Sequence, residues 1–298
     1  MAKLKAKHPK KAMPRKPRIL IYGKAGVGKT WGTIEFPGVY YFDCEGGASL
    51  PHYTDKLAKA EAGYLGPEDG ANDIQFVTDQ VRALATQKHE YRTVVFDSYS
   101  KVYNTAIQVE YDRLQGLGRD MTKSFGAEKK PAIAATRQIV RWLERVEMNV
   151  IFVCHEKAEW KDGEQIGETF DAWDKLAFEL DMTMQILKTG KARKAKVCKS
   201  RLEQFKEGEL VDWSYATFAE RFGSNLLEAE AVHLDACTPA QIQTVTELAE
   251  IIKLDDSQRL KWFEKAGVTC WSEMDSDTIS KCIDFLRNLI PNGKAQIV

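Results

Sequence analysis

Residues 23–30 read GKAGVGKT: a glycine, four residues, then Gly-Lys-Thr. The apolar run Ile19-Leu20-Ile21-Tyr22 precedes the stretch, and a segment able to form a helix follows it. Strand, glycine loop, helix is the setting in which such a loop cradles phosphate. Gly23, Gly26 and Gly28 let the backbone take positive φ and approach an anion closely. The N–H groups of the loop, from Lys24, Ala25 and Val27 as well as the glycines, then point at the phosphates with the helix N-terminus behind them. Lys29 is expected to reach the β- and γ-phosphates, and the Thr30 hydroxyl to hold Mg²⁺. A plain glycine turn is the alternative; it is disfavoured because all four fixed positions are met in the right setting. ATP and Mg²⁺ are therefore the expected cofactors.

The chain of 298 residues has room for one large domain, or a medium and a small one, and its 44% hydrophobic content supports a core. No apolar run approaches the roughly 20 residues that span a membrane. The basic N-terminus lacks the apolar stretch of a secretory signal. Six scattered cysteines, with no Cys-x-x-Cys pair, point to a reduced, cytoplasmic protein. Net charge is zero, yet the first 18 residues hold eight Lys or Arg and no acid, leaving 35 basic against 43 acidic residues beyond them. Residues 1–17, with three prolines, are expected to form a disordered basic arm, which either touches nucleic-acid phosphates or keeps the chain soluble.

Along the chain, Trp31–Phe36 reads as a short helix and Val39–Phe42 as a buried strand running into Asp43-Cys44-Glu45-Gly46-Gly47. Carboxylates there stand at the ligand edge of an open α/β sheet. Glu45 could polarise a water aimed at the γ-phosphate; alternatively Asp43 and Glu45 cap the turn. Residues 54–70 read as a helix and a Gly-rich loop, Ile74–Val77 as a short strand and Asp79–His89 as a helix. Thr93-Val94-Val95-Phe96-Asp97-Ser98 is an apolar strand ending in a carboxylate that would hold Mg²⁺ through water. Beyond a mostly helical stretch, the loop Leu114–Pro131 sets Arg119, Lys123, Lys129 and Lys130 around Phe125, a pattern that suits single-stranded nucleic acid as well as an ordinary solvated loop. A helix over 132–147 follows. The strand Asn149–Cys154 ends at His155, placed to sense the γ-phosphate. Glu156–Trp173 reads as a polar loop. A hairpin turns at Thr189-Gly190-Lys191 and returns to Lys199-Ser200-Arg201, where Lys199 and Arg201 share a strand face. From beyond the ligand edge they could reach a neighbouring subunit's nucleotide, or simply charge a strand edge against aggregation.

GKAGVGKT, YFDCEGG and TVVFDS together resemble the RecA-type recombinase core, and the whole stretch 18–222 is most similar to phage-encoded RecA-like AAA ATPases that act as single-strand annealing recombinases. The resemblance implies an α/β core, a mainly parallel sheet flanked by helices. It implies that Glu45 activates the attacking water and that Asp97 is the Walker B carboxylate. His155 stands where that family commonly has Gln or Asn, and Lys199-Ser200-Arg201 is similar to the finger motif of its hexameric members.

The remainder differs. Thr238-Pro239 starts the first of three expected helices, 239–253, 256–266 and 276–289, with Ser276 or Asp277 capping the last. Residues 225–298 hold 12 acidic and seven basic groups, which favours a small all-α module, 235–298, that docks a protein over one that binds phosphates. The resemblance makes a single-strand binding protein or another recombination protein the expected partner. The expected function is an oligomeric ATPase that binds single-stranded DNA and promotes annealing or strand exchange. A DNA-translocating motor and a nucleotide-switched adaptor are the alternatives.

Overall fold

The computed structural model describes residues 14–266 and 268–290, together with His8. Most of the expected basic arm lies outside the described residues. Its end does not behave as an arm: Lys16 and Pro17 are buried. The Lys16 ammonium donates to the Ala229 carbonyl, and burial pushes it down to about 8. The Pro17 carbonyl accepts from Val150 N at 3.0 Å, extending the sheet by one bond.

The strands are β1 (Arg18–Gly23), β2 (Val39–Asp43), β3 (Gly63–Leu65), β4 (Thr93–Asp97), β5 (Asn149–Lys161), β6 (Glu164–Phe170), β7 (Met182–Thr189), β8 (Ala192–Ser200) and β9 (Leu210–Asp212). Between them run the helices α1 (Lys29–Thr33), α2 (Pro51–Lys59), α3 (Ile74–Thr86), α4 (Tyr99–Gly116), α5 (Lys130–Leu143) and α6 (Leu176–Glu179). After β9 come α7 (Tyr215–Phe222), α8 (Ser224–Glu228), α9 (Pro239–Ile251), α10 (Asp256–Ala266) and α11 (Ser276–Leu289). The sheet order is β3-β2-β4-β5-β1-β7-β8-β9, with β6 paired to β5. The first six strands in that order are parallel, and β8 and β6 pair antiparallel. A mostly parallel nine-stranded sheet flanked by helices, with a helical C-terminal region, is the expected α/β class.

The central strands are apolar on both faces because helices cover both. Leu20, Phe42, Phe96 and Phe152 face α3, α4 and α5, where Phe96 and Phe152 stack at 4.7 Å. Ile21, Tyr41, Val95 and Ile151 face the other way, onto a cluster with Phe36, Trp213 and Phe218. Side chains alternate across the sheet, so each strand feeds both cores.

Four local expectations change. Ile74–Val77 is no strand but the first turn of α3: the Asp73 carboxylate accepts from Phe76 N at 2.7 Å, and Val77, Val81 and Leu84 then fall on one buried helical stripe. The expected polar loop 156–173 contains a β-hairpin. The β5 strand continues past His155 and turns at Asp162-Gly163, both at positive φ (53° and 87°), into β6. The helix over 31–36 is shorter, ending at Thr33. The last helix is capped by Asp275, whose side chain accepts from Thr278 N. At α9 the expected cap holds, Thr238 and Gln241 forming a reciprocal capping box.

The C-terminal helices bury their own cluster, which includes Val245, Leu248, Phe263, Trp271, Ile279 and Leu286. They join the sheet domain through polar contacts to Ser272 and Glu273: Arg82 and Arg145 donate to their carbonyls at 3.0 and 2.6 Å, and Gln138 to the Glu273 carboxylate at 2.6 Å.

Candidate active site

The sheet order positions the site. The strand ending in Asp97, β4, is separated from the glycine-loop strand β1 by β5. In register, Gly23 pairs with His155, Asp97 with Val153 and Asp43 with Asp97. The loop, Glu45, Asp97 and His155 therefore converge at the C-terminal edge of the parallel strands, where open α/β sheets bind ligands.

The loop needs its glycines. Gly28 has φ 92° at the start of α1. At Gly23, with φ 152°, a Cβ would lie 2.5 Å from the Ile186 carbonyl oxygen, so β7 closes on the loop. Lys29 curls back, donating to the carbonyls of Gly23 at 2.7 Å and Lys24 at 2.9 Å. Burial lowers its pKa, against the fields of Asp97 and Glu45. An anion in the loop would offer this ammonium a stronger partner than two carbonyls. Lys24, Ala25 and Gly26 are exposed, with their backbone accessible to a ligand.

Thr30 Oγ1 donates to Asp97 Oδ2 at 2.5 Å, and the Tyr41 hydroxyl to the same oxygen at 2.6 Å. Burial raises the Asp97 pKa, and these two hydroxyls oppose the rise. A half-buried carboxylate held by hydroxyls, beside a threonine at the helix start, is a hard oxygen donor set. It fits Mg²⁺, which keeps several waters and takes phosphate oxygens for the rest of its shell.

Glu45 stands beyond β2. Its Oε1 lies 2.7 Å from His155 Nε2 and accepts from Ser98 Oγ; Ser98 Oγ is also 3.2 Å from His155 Nε2. The hydrogen bond from His155, joined by Ser98, holds the Glu45 carboxyl below its usual range despite partial burial. The same bond raises His155. Asp43 plays a structural part instead. Its Oδ2 accepts from Ala48 N and Tyr64 OH, both at 2.8 Å, which fixes the turn carrying Glu45.

A cavity of about 410 Å³ opens at the loop, lined by its residues and by Trp31, His52, Tyr53 and Arg193. Sequence reasoning missed these four. Trp31 and Tyr53 lie 6.1 Å apart, and Lys56 sits 3.8 Å over the Trp31 ring. Arg193 presses on the loop so closely that a Cβ at Gly28 would meet its Nε at 2.1 Å. It is brought there by β8, which begins where β7 ends, at the ligand edge.

Lys199 and Arg201 do not join this site. Lys199 lies near the end of β8 and Arg201 just past it, where Ser200 pairs with Met182 and Met182 with Ile19, so they lie at the opposite edge of the sheet from Gly23. The expected placement beyond the ligand edge is thus corrected, since an antiparallel strand carries its end away from it. There Lys199 donates to the Leu180 carbonyl, and Arg201 to the Phe178 carbonyl at 2.6 Å. In the loop between α4 and α5, Arg119, Lys123 and Lys129 are exposed, as is Lys130 at the start of α5. Phe125, 97% exposed, is the most exposed large apolar side chain among the described residues.

A family model of the AAA domain (AAA_24) matches residues 15–206. Among solved structures, the chain is similar to the RadB recombinase, at 18% identity over 66% of this chain and 87% of that one, with a TM-score of 0.43. It is also similar to an ATPase from the type III secretion system of pathogenic bacteria, at 13% identity over 92% of this chain and 81% of that one, with a TM-score of 0.37. Likenesses this distant carry no information about activity. No match is found among curated proteins.

Proposed function

We propose, on the premise that this chain belongs to the AAA-domain family, that it is an oligomeric, Mg²⁺-dependent ATPase of RecA type that binds single-stranded DNA and promotes annealing or strand exchange in phage recombination. The observation that carries the ATPase reading is the convergence of Lys29, the Thr30–Asp97 pair and the Glu45–Ser98–His155 cluster on one sheet edge.

In that reading the loop N–H groups and Lys29 bind the phosphates, and Thr30 and Asp97 would hold Mg²⁺, which when bound would supply positive charge beside the transferring phosphoryl group. Glu45 orients and deprotonates the attacking water, and His155 and Ser98 fix its carboxylate. Arg193, in the same subunit, adds a second cation at the loop. Arg201 serves a neighbouring subunit's nucleotide, with Lys199 beside it. Exposed Phe125 amid four cations supports DNA contact, a base stacking on the ring while phosphates pair with the lysines. The C-terminal helices receive a protein partner such as a single-strand binding protein or another recombination protein.

ATP turnover measured with and without single-stranded DNA, followed by annealing of complementary strands, tests this. Turnover stimulated by DNA together with annealing is expected. Stimulated turnover without annealing would indicate a DNA motor, and nucleotide binding without turnover an adaptor.

A further inference from the structure

The C-terminal helices carry a second cavity, remote in sequence from the glycine loop. It lies between α10 and α11 and measures about 460 Å³. Ala266 and Thr278 leave the room, Trp262 and Phe285 form apolar walls, and Lys265 and Lys281 stand at the rim. The walls are braced: the Trp262 and Phe285 rings meet edge to face at 5.4 Å, and Trp262 meets Trp271 at 6.1 Å. Phe285 nevertheless stays 52% exposed. A large aromatic left half in water beside a cavity of this size is what a docking groove presents to an incoming side chain.

Charge selects the occupant. Residues 225–298 carry 12 acidic and seven basic groups, so cations are scarce in this module. Two of them, Arg259 and Arg287, are engaged by Asp256 and Asp284 on their own helices. Among the described residues, Lys265 and Lys281 have no carboxylate within salt-bridge distance. Lys253 and Lys261 also lack such a partner among the described residues, but only Lys265 and Lys281 line the cavity beside its apolar walls. Nucleic acid does not fit, because a module with 12 acidic against seven basic groups offers no basic track.

We infer that the groove between α10 and α11 binds an acidic peptide segment of a partner protein, seating a bulky apolar side chain between Trp262 and Phe285 while its carboxylates pair with Lys265 and Lys281. This refines the partner-docking part of the proposed function and rests on that reading. ATP turnover followed in the same samples separates its failure from failure of the ATPase assignment.

The test uses the full chain and fluorescein-labelled peptides read by anisotropy. The probe is an end-blocked peptide of Asp and Glu around one Phe and one Leu. One control replaces Phe and Leu by Ala, and another replaces the acids by Lys. The acidic–apolar peptide is expected to bind with Kd on the order of 10 μM, and both controls at least about tenfold more weakly. Lys265→Glu with Lys281→Glu, at exposed positions that leave the core intact, is expected to weaken the probe by about tenfold or more, with unchanged thermal melting and ATP turnover. Binding no tighter than the controls, or insensitive to the double substitution, overturns the inference. So does binding that arises only after residues 291–298 are removed, which would assign the groove to the chain itself, or loss of self-association in the double variant without any peptide binding, which would assign it to a second copy.

Discussion

At the scale of the residue, the candidate site rests on a few side chains whose removal has separable effects. Lys29→Ala is expected to reduce turnover by roughly 10²-fold or more, the loss typical when a group stabilising transition-state charge is removed, with the melting curve retained. Glu45→Gln is expected to keep nucleotide binding and lose about 10²–10⁴ in hydrolysis, because the amide keeps the shape and loses the base; wild-type turnover would pass the role to another group. His155 gives a pH signature. Its pKa is raised above the ordinary 6.5 by Glu45, so the ion pair is complete below 6.5 and is lost as pH rises through the higher folded value. Glu45, lowered below 4.5, stays ionised throughout that window. Lys29 and Asp171 also act on the imidazole, the first opposing its charge and the second favouring it. Neutral His155 leaves Glu45 a stronger base, so turnover should climb through an ionisation above 6.5, and His155→Gln should flatten that limb. A limb unchanged in the variant removes His155 from this role. Glu45 and Asp97 are legible in the sequence because each closely follows a run rich in β-branched and aromatic residues, which favours a buried strand. Arg193 is not: its approach to Gly28 depends on β7 pairing with β1, and nothing within KTGKARKAK reports that pairing.

At the scale of the element, legibility follows the strength of the hydrophobic pattern. The central strands are apolar on both faces and stand out. The α3 start reads as a strand because Ile74-Gln75-Phe76-Val77 is apolar enough for one, and only Asp73 as a cap reveals the helix. Asp73→Ala should therefore cost about 1 kcal/mol, read as a lower denaturation midpoint at unchanged slope. The β5–β6 hairpin carries a turn signal, Asp162-Gly163, between runs with no apolar face: Trp160 is 64% exposed and Ile166 57%. Without a buried side, period-two alternation has no core to report. The loop between α4 and α5 belongs to this scale too. If it holds single-stranded DNA, Lys129→Ala with Lys130→Ala should lower the slope of log affinity against log salt by about 0.7 for each phosphate that the two lysines neutralise. An unchanged slope would place DNA on another surface.

At the scale of the whole molecule, the question is what the opposite edge of the sheet is for. β8 runs from Arg193, against the glycine loop, to Ser200, level with the base of β1. One hairpin arm therefore sets one arginine inside its own site and carries another, Arg201, a strand's length away. Arg201 cannot serve the nucleotide of its own subunit. Its guanidinium is exposed and spends one bond on the Phe178 carbonyl, so other donors remain for an anion. In an assembly that stacks one subunit's far edge on the next subunit's ligand edge, Arg201 would meet a γ-phosphate there. An arginine supplied in trans contributes roughly 10³–10⁵ in rate in known phosphoryl-transfer enzymes. Arg201→Ala should then lower turnover steeply while ATP binding to the isolated subunit stays near wild type, and Arg193→Ala should weaken binding itself. Mixing separates the two ideas further. Lys29→Ala lacks the pocket and Arg201→Ala the finger, so a mixture forms some interfaces with both intact and should regain turnover that neither variant shows alone. Mixed Arg193→Ala and Lys29→Ala should regain none, because both lesions lie in the same pocket. If folded, co-assembling Arg201→Ala and Lys29→Ala stay silent in every ratio, Arg201 is a charged strand end and no finger.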